Sequence, residues 1–535
     1  MAVVTGNHLY IDGGEVYYVN NGSTPKSLPL NSTYSIDLSK SWSNDSVILN
    51  QIDKTSAPRS LNVGNLFPDP SGTSFYQWNG KISSALPYDQ LPDPPAANLW
   101  QFRADGDQGK WSLVTAPNLK RLSRAASTQG NGTAYFLGGF GDWRSDKDYY
   151  SNTSLRFSGG GLVTYDIQSQ SWNNYSIEEF APTGWSFDAN FHYLEGMGRE
   201  GLLLAMGGAT SPPGGTNRQG DEILNPFNYV TLYDAMVNKW YNQSTSGDIP
   251  VKRFSTCSVG IAGDNGTFEI FLYGGSVTAS ASSGEEQQTN LDFSEVYILS
   301  IPSFRWYKTN LKPTTSRFRH TCNVIGQRQM VVVGGLASLA LSRLPTDPWG
   351  QGLGIFDLTD LEWKSSYDAS ASPYQSPNMV KESIAKDGRY PSSWDSPVVE
   401  GLFTNKAVDN DSSSSSPEPA TSGKSNNTGA IVGGVIGGIV VLALIGVAVW
   451  FLLRRSRKPH AEQQMLVEHS KMDEHSKLDD EPPPTKRAEL NSEPDDLHSH
   501  SESWEMDGGT SHRFELPASE GQKASNHSSG MAKNG

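Results

Sequence analysis

Histidine and cysteine are scarce in the part of this 535-residue chain that precedes residue 430: two cysteines, Cys257 and Cys322, and three histidines, His8, His192 and His320. So few ligands exclude the histidine-rich spacings of zinc sites. A Gly-x-Ser-x-Gly elbow and a phosphate-cradling glycine loop are also absent, which removes common hydrolase and nucleotide-binding signatures. Positive charge is short as well. The chain holds 42 basic against 57 acidic residues, a net charge of −15, and 11 of the basic against 16 of the acidic residues follow Leu453. Neither part has the basic footprint of a nucleic-acid binder. Long apolar runs are missing except for one, Ala430–Leu453.

What the chain does have is a glycine pair followed 28 to 33 residues later by a tryptophan. The pairs are Gly13-Gly14, Gly138-Gly139, Gly207-Gly208, Gly274-Gly275 and Gly334-Gly335, with a degenerate copy at Trp78-Asn79-Gly80. The tryptophans are Trp42, Trp111, Trp172, Trp240, Trp306 and Trp363, spaced 57 to 69 residues apart. Self-similarity at this period marks a repeat architecture, because one unit cannot bury its own apolar face and must stack on its neighbours. Short β-branched or aromatic runs such as Ala134–Leu137 and Glu269–Tyr273 end at the glycines, where the backbone turns with positive φ. Pairs such as Tyr165-Asp166 and Tyr233-Asp234 then precede the tryptophans across a polar turn. Each unit therefore reads as a four-stranded antiparallel blade, and six units predict a ring.

These residues resemble the kelch repeat, which carries a glycine pair after its second strand and a Tyr and a Trp further on. The likeness covers roughly residues 2–367. It is strongest to fungal membrane-anchored kelch proteins and more distant to the kelch propeller at the centre of galactose oxidase. It implies an all-β, kelch-type β-propeller of six blades over 1–367, with 368–403 as a cap or a degenerate seventh blade. The galactose oxidase likeness implies an alternative, a membrane-tethered copper oxidoreductase. Copper-radical chemistry needs two histidines, two tyrosines and a cysteine crosslinked to one tyrosine. His8 lies beside the first strand run, and His320 sits where kelch repeats place a packing histidine, so structural roles account for two of the three. No metal, cofactor or catalysis is expected.

Ala430–Leu453 is 24 uncharged residues, enough to cross a bilayer as a helix, and Arg454, Arg455, Arg457 and Lys458 follow at once. The positive-inside rule puts the C-terminus in the cytoplasm and the repeats outside, a single-pass type I cell-membrane protein. Ten sequons precede the span, at Asn21, Asn31, Asn44, Asn131, Asn152, Asn174, Asn242, Asn265, Asn410 and Asn426, and one follows it at Asn526. Glycans are expected on the ten. Gly433 and Gly437 form a small-xxx-small pattern, read either as weak homodimerisation through the span or as plain glycine richness. The serine-rich 404–429 reads as a stalk. The polar, acidic 454–535 reads as a disordered tail, in which Ser470 and Ser476 each stand three residues before an aspartate. Those serines suit acid-directed phosphorylation, a solvated spacer being the alternative. No signal peptide opens the chain, and Ala2–Gly6 aligns with the end of an innermost strand. An upstream segment is expected to supply the signal, the rest of that innermost strand and the outer strand that closes the ring, the alternative being that the membrane span itself directs insertion and a C-terminal segment fills the first blade.

Two further expectations concern the repeats. Cys257 and Cys322 occupy equivalent places in adjacent units, which favours a disulfide over two small buried hydrophobes. The long loops after the glycine pairs, with one inter-blade loop, carry Trp143, Tyr149, Tyr150, Trp185, Phe227 and Trp349 on one rim. Aromatics beside polar groups suit stacking on sugars or anchoring a protein, so an extracellular protein or glycan is the expected partner. Packing of these rings within their own loops is the competing reading.

Overall fold

The computed structural model describes residues 1–404, apart from 19–25, 55–57, 84–95, 115, 117–118, 150–154, 160, 178–185, 211–215, 219–221, 264–265, 278–292, 312–314 and 338–346. The expectations for Tyr150, Trp185, Asn21, Asn152, Asn265, Asn410, Asn426, Ser470, Ser476 and the segments from 405 onward, including 430–453, lie outside the described residues.

Six antiparallel sheets follow one another along the chain, here called I to VI. Their first strands are Ala2–Thr5, Asn65–Pro68, Ala126–Gly130, Asn190–Leu194, Cys257–Ala262 and Thr321–Ile325. Each sheet has four strands in chain order, and sheet V gains a short fifth, Ser246–Gly247, parallel to its outer strand. Second strands such as Leu202–Met206 and Phe268–Tyr273 are buried along their whole length, because neighbouring sheets cover both faces. Outer strands such as Gln108–Val114 and Ser171–Tyr175 are largely exposed.

One apolar cluster lies between each sheet and the next. Tyr10 meets Phe75 and Phe102 between I and II, and Phe67 and Trp78 meet Phe136 and Tyr165 between II and III. Leu137 meets Leu203 and Tyr233 between III and IV; Leu204 and Leu232 meet Ile270 and Trp306 between IV and V. Phe271 meets Met330 and Phe356 between V and VI, and Ile325 and Ile355 meet Leu9 and Ile36 between VI and I. The first strands touch in the same cyclic order, with that of VI against that of I. Burial of each large side chain contributes about 2 kcal/mol, so these six interfaces hold the fold.

The glycine pairs explain the stacking. All six pairs, including Asn79-Gly80, take left-handed φ at both residues. A Cβ at Gly13, Gly138 or Gly274 would stand 2.3, 2.0 or 2.4 Å from the carbonyl oxygen of Leu61, Ser186 or Arg317 in the next sheet's incoming loop. The N–H of the second residue donates to the same kind of carbonyl: Gly14 to Leu61, Gly80 to Leu122, Gly139 to Ser186 and Gly275 to Arg317, at 2.6–3.1 Å. Four of the six pairs are thus latches between neighbouring sheets.

The fourth strand of sheet I is Asn50–Asp53, so the outer place of that sheet is filled from within the described residues. Trp42 instead pairs, with Ser43, against Ser366–Tyr367, and its ring lies 5.2 Å from that of Tyr367. After sheet VI come two helices, α1 (Asn378–Asp387) and α2 (Pro397–Thr404), and no seventh four-stranded sheet is present among the described residues. Val380 of α1 packs into the V–VI cluster and Val399 of α2 into the IV–V cluster, so the cap spans three sheets rather than the last alone. No helix among the described residues is long and apolar enough to cross a membrane.

Candidate functional site

Antiparallel order puts the glycine pairs and the loops between sheets at one end of the fold, the rim end. Two residues before the first strand of sheets II to VI stand Val63, Arg124, Asp188, Ser255 and Arg319, and all five are left-handed, with φ between 49° and 61°. That conformation costs a non-glycine residue on the order of 1 kcal/mol, and its repetition marks a built feature. Backbone bonds link them in two runs, Val63 to Asp188 and Ser255 to Arg319. Arg124 N–H donates to Val63 O (2.9 Å), Asp188 N–H to Arg124 O (3.0 Å) and Arg319 N–H to Ser255 O (3.2 Å).

Their side chains form a charged mouth around the first strands. Arg124 is buried, with its guanidinium 3.4 Å from the Asp188 carboxylate, 3.2 Å from Ser255 Oγ, and over the rings of Phe187 and Phe254. Ser255 Oγ donates to Asp188 Oδ2 at 2.6 Å. Behind this group Lys81 pairs with Asp142 (3.0 Å), and Arg156 of sheet III's rim loop pairs with Glu222 of sheet IV's. Burial depresses the Lys81 ammonium against the pull of Asp142, with Arg124 adding repulsion. Arg319 is exposed, and desolvation followed by the charge of Arg124 lowers its guanidinium to about 10. The mouth lay beyond sequence reasoning, since Val, Arg and Ser carry no signal for left-handed backbone.

Below the mouth, polar rungs tie the first strands together. Asn190 Nδ2 donates to Thr256 Oγ1 (2.9 Å), and His192 Nε2 lies 2.7 Å from Ser258 Oγ between sheets IV and V. Cys257 and Cys322 are disulfide-bonded between V and VI, with Cα atoms 5.6 Å apart.

The rim aromatics take other places than a binding platform requires. Phe227 is fully buried, edge-on to Trp306 at 5.7 Å, and covers Gly207. Tyr149 is buried over Gly141, stacked on Phe157 at 4.7 Å. Trp143 is buried as well, with the Arg144 guanidinium over its ring. Half-buried Trp349 covers Gly354 and carries the Arg317 guanidinium 3.7 Å from its ring centroid. Trp143, Tyr149 and Phe227 thus have no free face for a sugar, because glycines and arginines of their own loops already occupy them.

The sequons divide too. Asn31, Asn131, Asn174 and Asn242 are exposed, whereas Asn44 is buried with its side-chain nitrogen donating to Leu353 O at 3.0 Å. A glycan on Asn44 is incompatible with that packing.

The residues do not fit a copper-radical cofactor. His8, His192 and His320 stand in sheet I, in sheet IV and just before sheet VI, and His8 faces Asp107 at 3.3 Å. Both cysteines are bonded to each other, leaving no thiol to crosslink a tyrosine. Ligand atoms of Cys257, His320 and Cys322 do lie within 4.8 Å of one another, but the sulfurs are spent in the disulfide.

An all-β fold of this kind fits a kelch propeller. Sequence comparison agrees: a kelch repeat-containing protein of Arthroderma benhamiae is 26% identical over 415 residues. The match takes in 69% of this chain and 56% of that protein, so the chain spans about half the length of the curated relative it matches. No protein-family model matches.

Proposed function

We propose that sheets I to VI are the blades of one closed six-bladed kelch propeller, held outside the cell by the 430–453 span, and that its rim end binds a protein or glycan. The cytoplasmic tail then offers Ser470 and Ser476 for modification, and catalysis has no part in the reading. The observation that carries it is the mouth: five left-handed residues from five sheets converge on one end, and four of the five carry charged or polar side chains. The similarity to a kelch repeat-containing protein supports a binding role.

The test is a steric shield on the full-length protein displayed by a secretory host. Val16→Asn with Tyr18→Thr creates a sequon on the rim hairpin Glu15–Tyr18/Lys26–Pro29, where Val16 is 52% exposed. Ligand binding, found by glycan array or surface crosslinking, is expected to be lost in this variant and kept in one lacking the glycan at Asn131, in a turn at the other end. Binding that survives the rim glycan overturns the reading, as does stoichiometric copper in the purified chain.

A further inference from the structure

We propose that Arg319, assisted by Arg124, holds a single carboxylate group at the mouth, the acidic group of a small organic acid or of a uronate sugar. This rests on the rim end being the ligand face and names what that face takes.

Position comes first. The Arg124 guanidinium reaches Ser255 Oγ, and the Ser255 carbonyl accepts the N–H of Arg319, so the two cationic residues flank one serine in the ring. Left-handed backbone at both fixes the direction in which each side chain leaves the chain. Arg124 is anchored by Asp188, Phe187 and Phe254, whereas the Arg319 guanidinium makes no ion pair or hydrogen bond among the described residues.

The surrounding charges leave the cation uncompensated. Asp188 is engaged by Arg124 and Ser255, Glu222 by Arg156, and Asp142 by Lys81 and the N–H of Arg144. Glu15 accepts from Asn62 and from Ser83 Oγ, and together with Asp142 it attracts the Arg144 guanidinium. Five cations, Lys81, Arg124, Arg144, Arg156 and Arg319, thus stand against four carboxylates, and among the described residues Arg319 is the cation left over. Repulsion from Arg124, and more weakly from Arg156, acts on it, opposed in part by the attraction of Asp188. An anion between them relieves that repulsion, and a guanidinium fork matches a planar carboxylate in two hydrogen bonds.

Charge also limits the ligand. The residues up to Leu453 hold 31 basic against 41 acidic groups, a net −10, so an extended polyanion is repelled by the rest of the surface, whereas one carboxylate meets only the local field within a Debye length of roughly 8 Å. A single acidic group is therefore favoured over an acidic polymer.

The experiment titrates the full-length protein in detergent micelles, at fixed ionic strength, with acetate, glucuronate, glucose and sulfate, reading heat of binding and thermal midpoint. Saturable binding of acetate and glucuronate, and none of glucose, is expected. Arg319→Gln should weaken it by roughly ten-fold or more, and Arg319→Lys by less, since charge survives and the fork does not. The Arg319 guanidinium lies 5.8 Å from the centroid of the Phe318 ring and makes no ion pair or hydrogen bond among the described residues, so the unliganded midpoint should stay nearly unchanged. Glucuronate binding ten-fold tighter than acetate assigns the group to a sugar, and equal binding to a free acid. No saturation by either carboxylate, sulfate binding tighter than acetate, or full affinity in Arg319→Gln overturns the proposal. A neutral ligand bound at the rim, indifferent to Arg319, overturns it while leaving the rim-end binding function standing.

Discussion

Asn79 and Gly138 share one backbone conformation, φ of 62° at each, in equivalent places of sheets II and III. Asparagine tolerates the left-handed region better than other side chains, and here its amide is used as well. Asn79 Nδ2 donates to Asn65 Oδ1 (3.1 Å), and Asn79 Oδ1 accepts the N–H of Leu122 (3.3 Å). The unit that looks degenerate in sequence therefore keeps the latch, with side-chain bonds offsetting the strain.

Asn79→Ala keeps the strain and loses both bonds, which predicts a loss of about 2 kcal/mol. Asn79→Gly loses the bonds but relieves the strain, so its cost should be less than half as large. Denaturant titration of both variants reads the difference. Equal losses would mean that the backbone conformation is not what Asn79 supplies.

Two glycines separate conformation from collision. At Gly334 (φ 67°) an added methyl group would have nothing within 4 Å, whereas a Cβ on Gly138 (φ 62°) would stand 2.0 Å from Ser186 O. Gly334→Ala should cost about 1 kcal/mol, the left-handed penalty alone. Gly138→Ala should cost more than about 3 kcal/mol, since sheets III and IV must part for it. A similar thermal shift in both would remove the inter-sheet latch from the account.

The six sheets were legible because glycine pairs and tryptophans carry their own reasons. Tyr165 meets Trp172 at 4.5 Å and Tyr233 meets Trp240 at 4.6 Å, the packing their spacing requires. Trp42 escaped that rule because it closes against Tyr367, a contact more than three hundred residues distant in sequence that no local pattern encodes. The burial of Tyr149 and Phe227 was hidden for a related reason. A loop sequence shows Tyr149 and Phe227 but not that Gly141 and Gly207 lie beneath them, so burial by folding back is invisible. The mouth was hidden more deeply, since backbone strain at Arg124, Ser255 and Arg319 is imposed by stacked sheets.

His192 should make the fold acid-sensitive. Burial holds its imidazole neutral and lowers its pKa to about 4, against 6.5 for the free group. As pH falls below 6.5 the unfolded chain takes up the proton first, so stability is full above 6.5 and declines towards pH 4, by about 3 kcal/mol if the whole shift counts. His320, also lowered by burial, adds to the same slope. His192→Gln should therefore flatten the midpoint-against-pH curve between 6.5 and 4 in part, while costing stability at pH 7 through the bond to Ser258. An unchanged slope would show that His192 is solvated.

The disulfide closes a loop across 65 residues between sheets V and VI. Constraint of the unfolded chain over that length contributes about 4 kcal/mol on the entropic account. The double change Cys257→Ser with Cys322→Ser should lower stability by an amount of that order. Thiol labelling of the unreduced, denatured protein should find no free cysteine; two reactive thiols would remove the bond and the prediction together.

Asn44 tests the closure of sheet VI on sheet I. Its backbone N–H donates to Ser365 O (3.0 Å), its side-chain nitrogen to Leu353 O, and its carbonyl accepts from Gln351 Nε2 (3.3 Å). A glycan takes that side-chain nitrogen and demands open space beside it, so attachment and closure exclude each other. Asn31, Asn131, Asn174 and Asn242 face solvent and carry no such conflict. Site-resolved mass spectrometry of protein made in a secretory host should find sugar on these four and none on Asn44. Asn44→Gln should lower the thermal midpoint, because the longer amide misplaces a buried hydrogen bond worth about 1 kcal/mol. Asn44 fully glycosylated in protein of normal stability would mean that residues 42–47 do not seat against 351–367, and the ring would have to close by another contact.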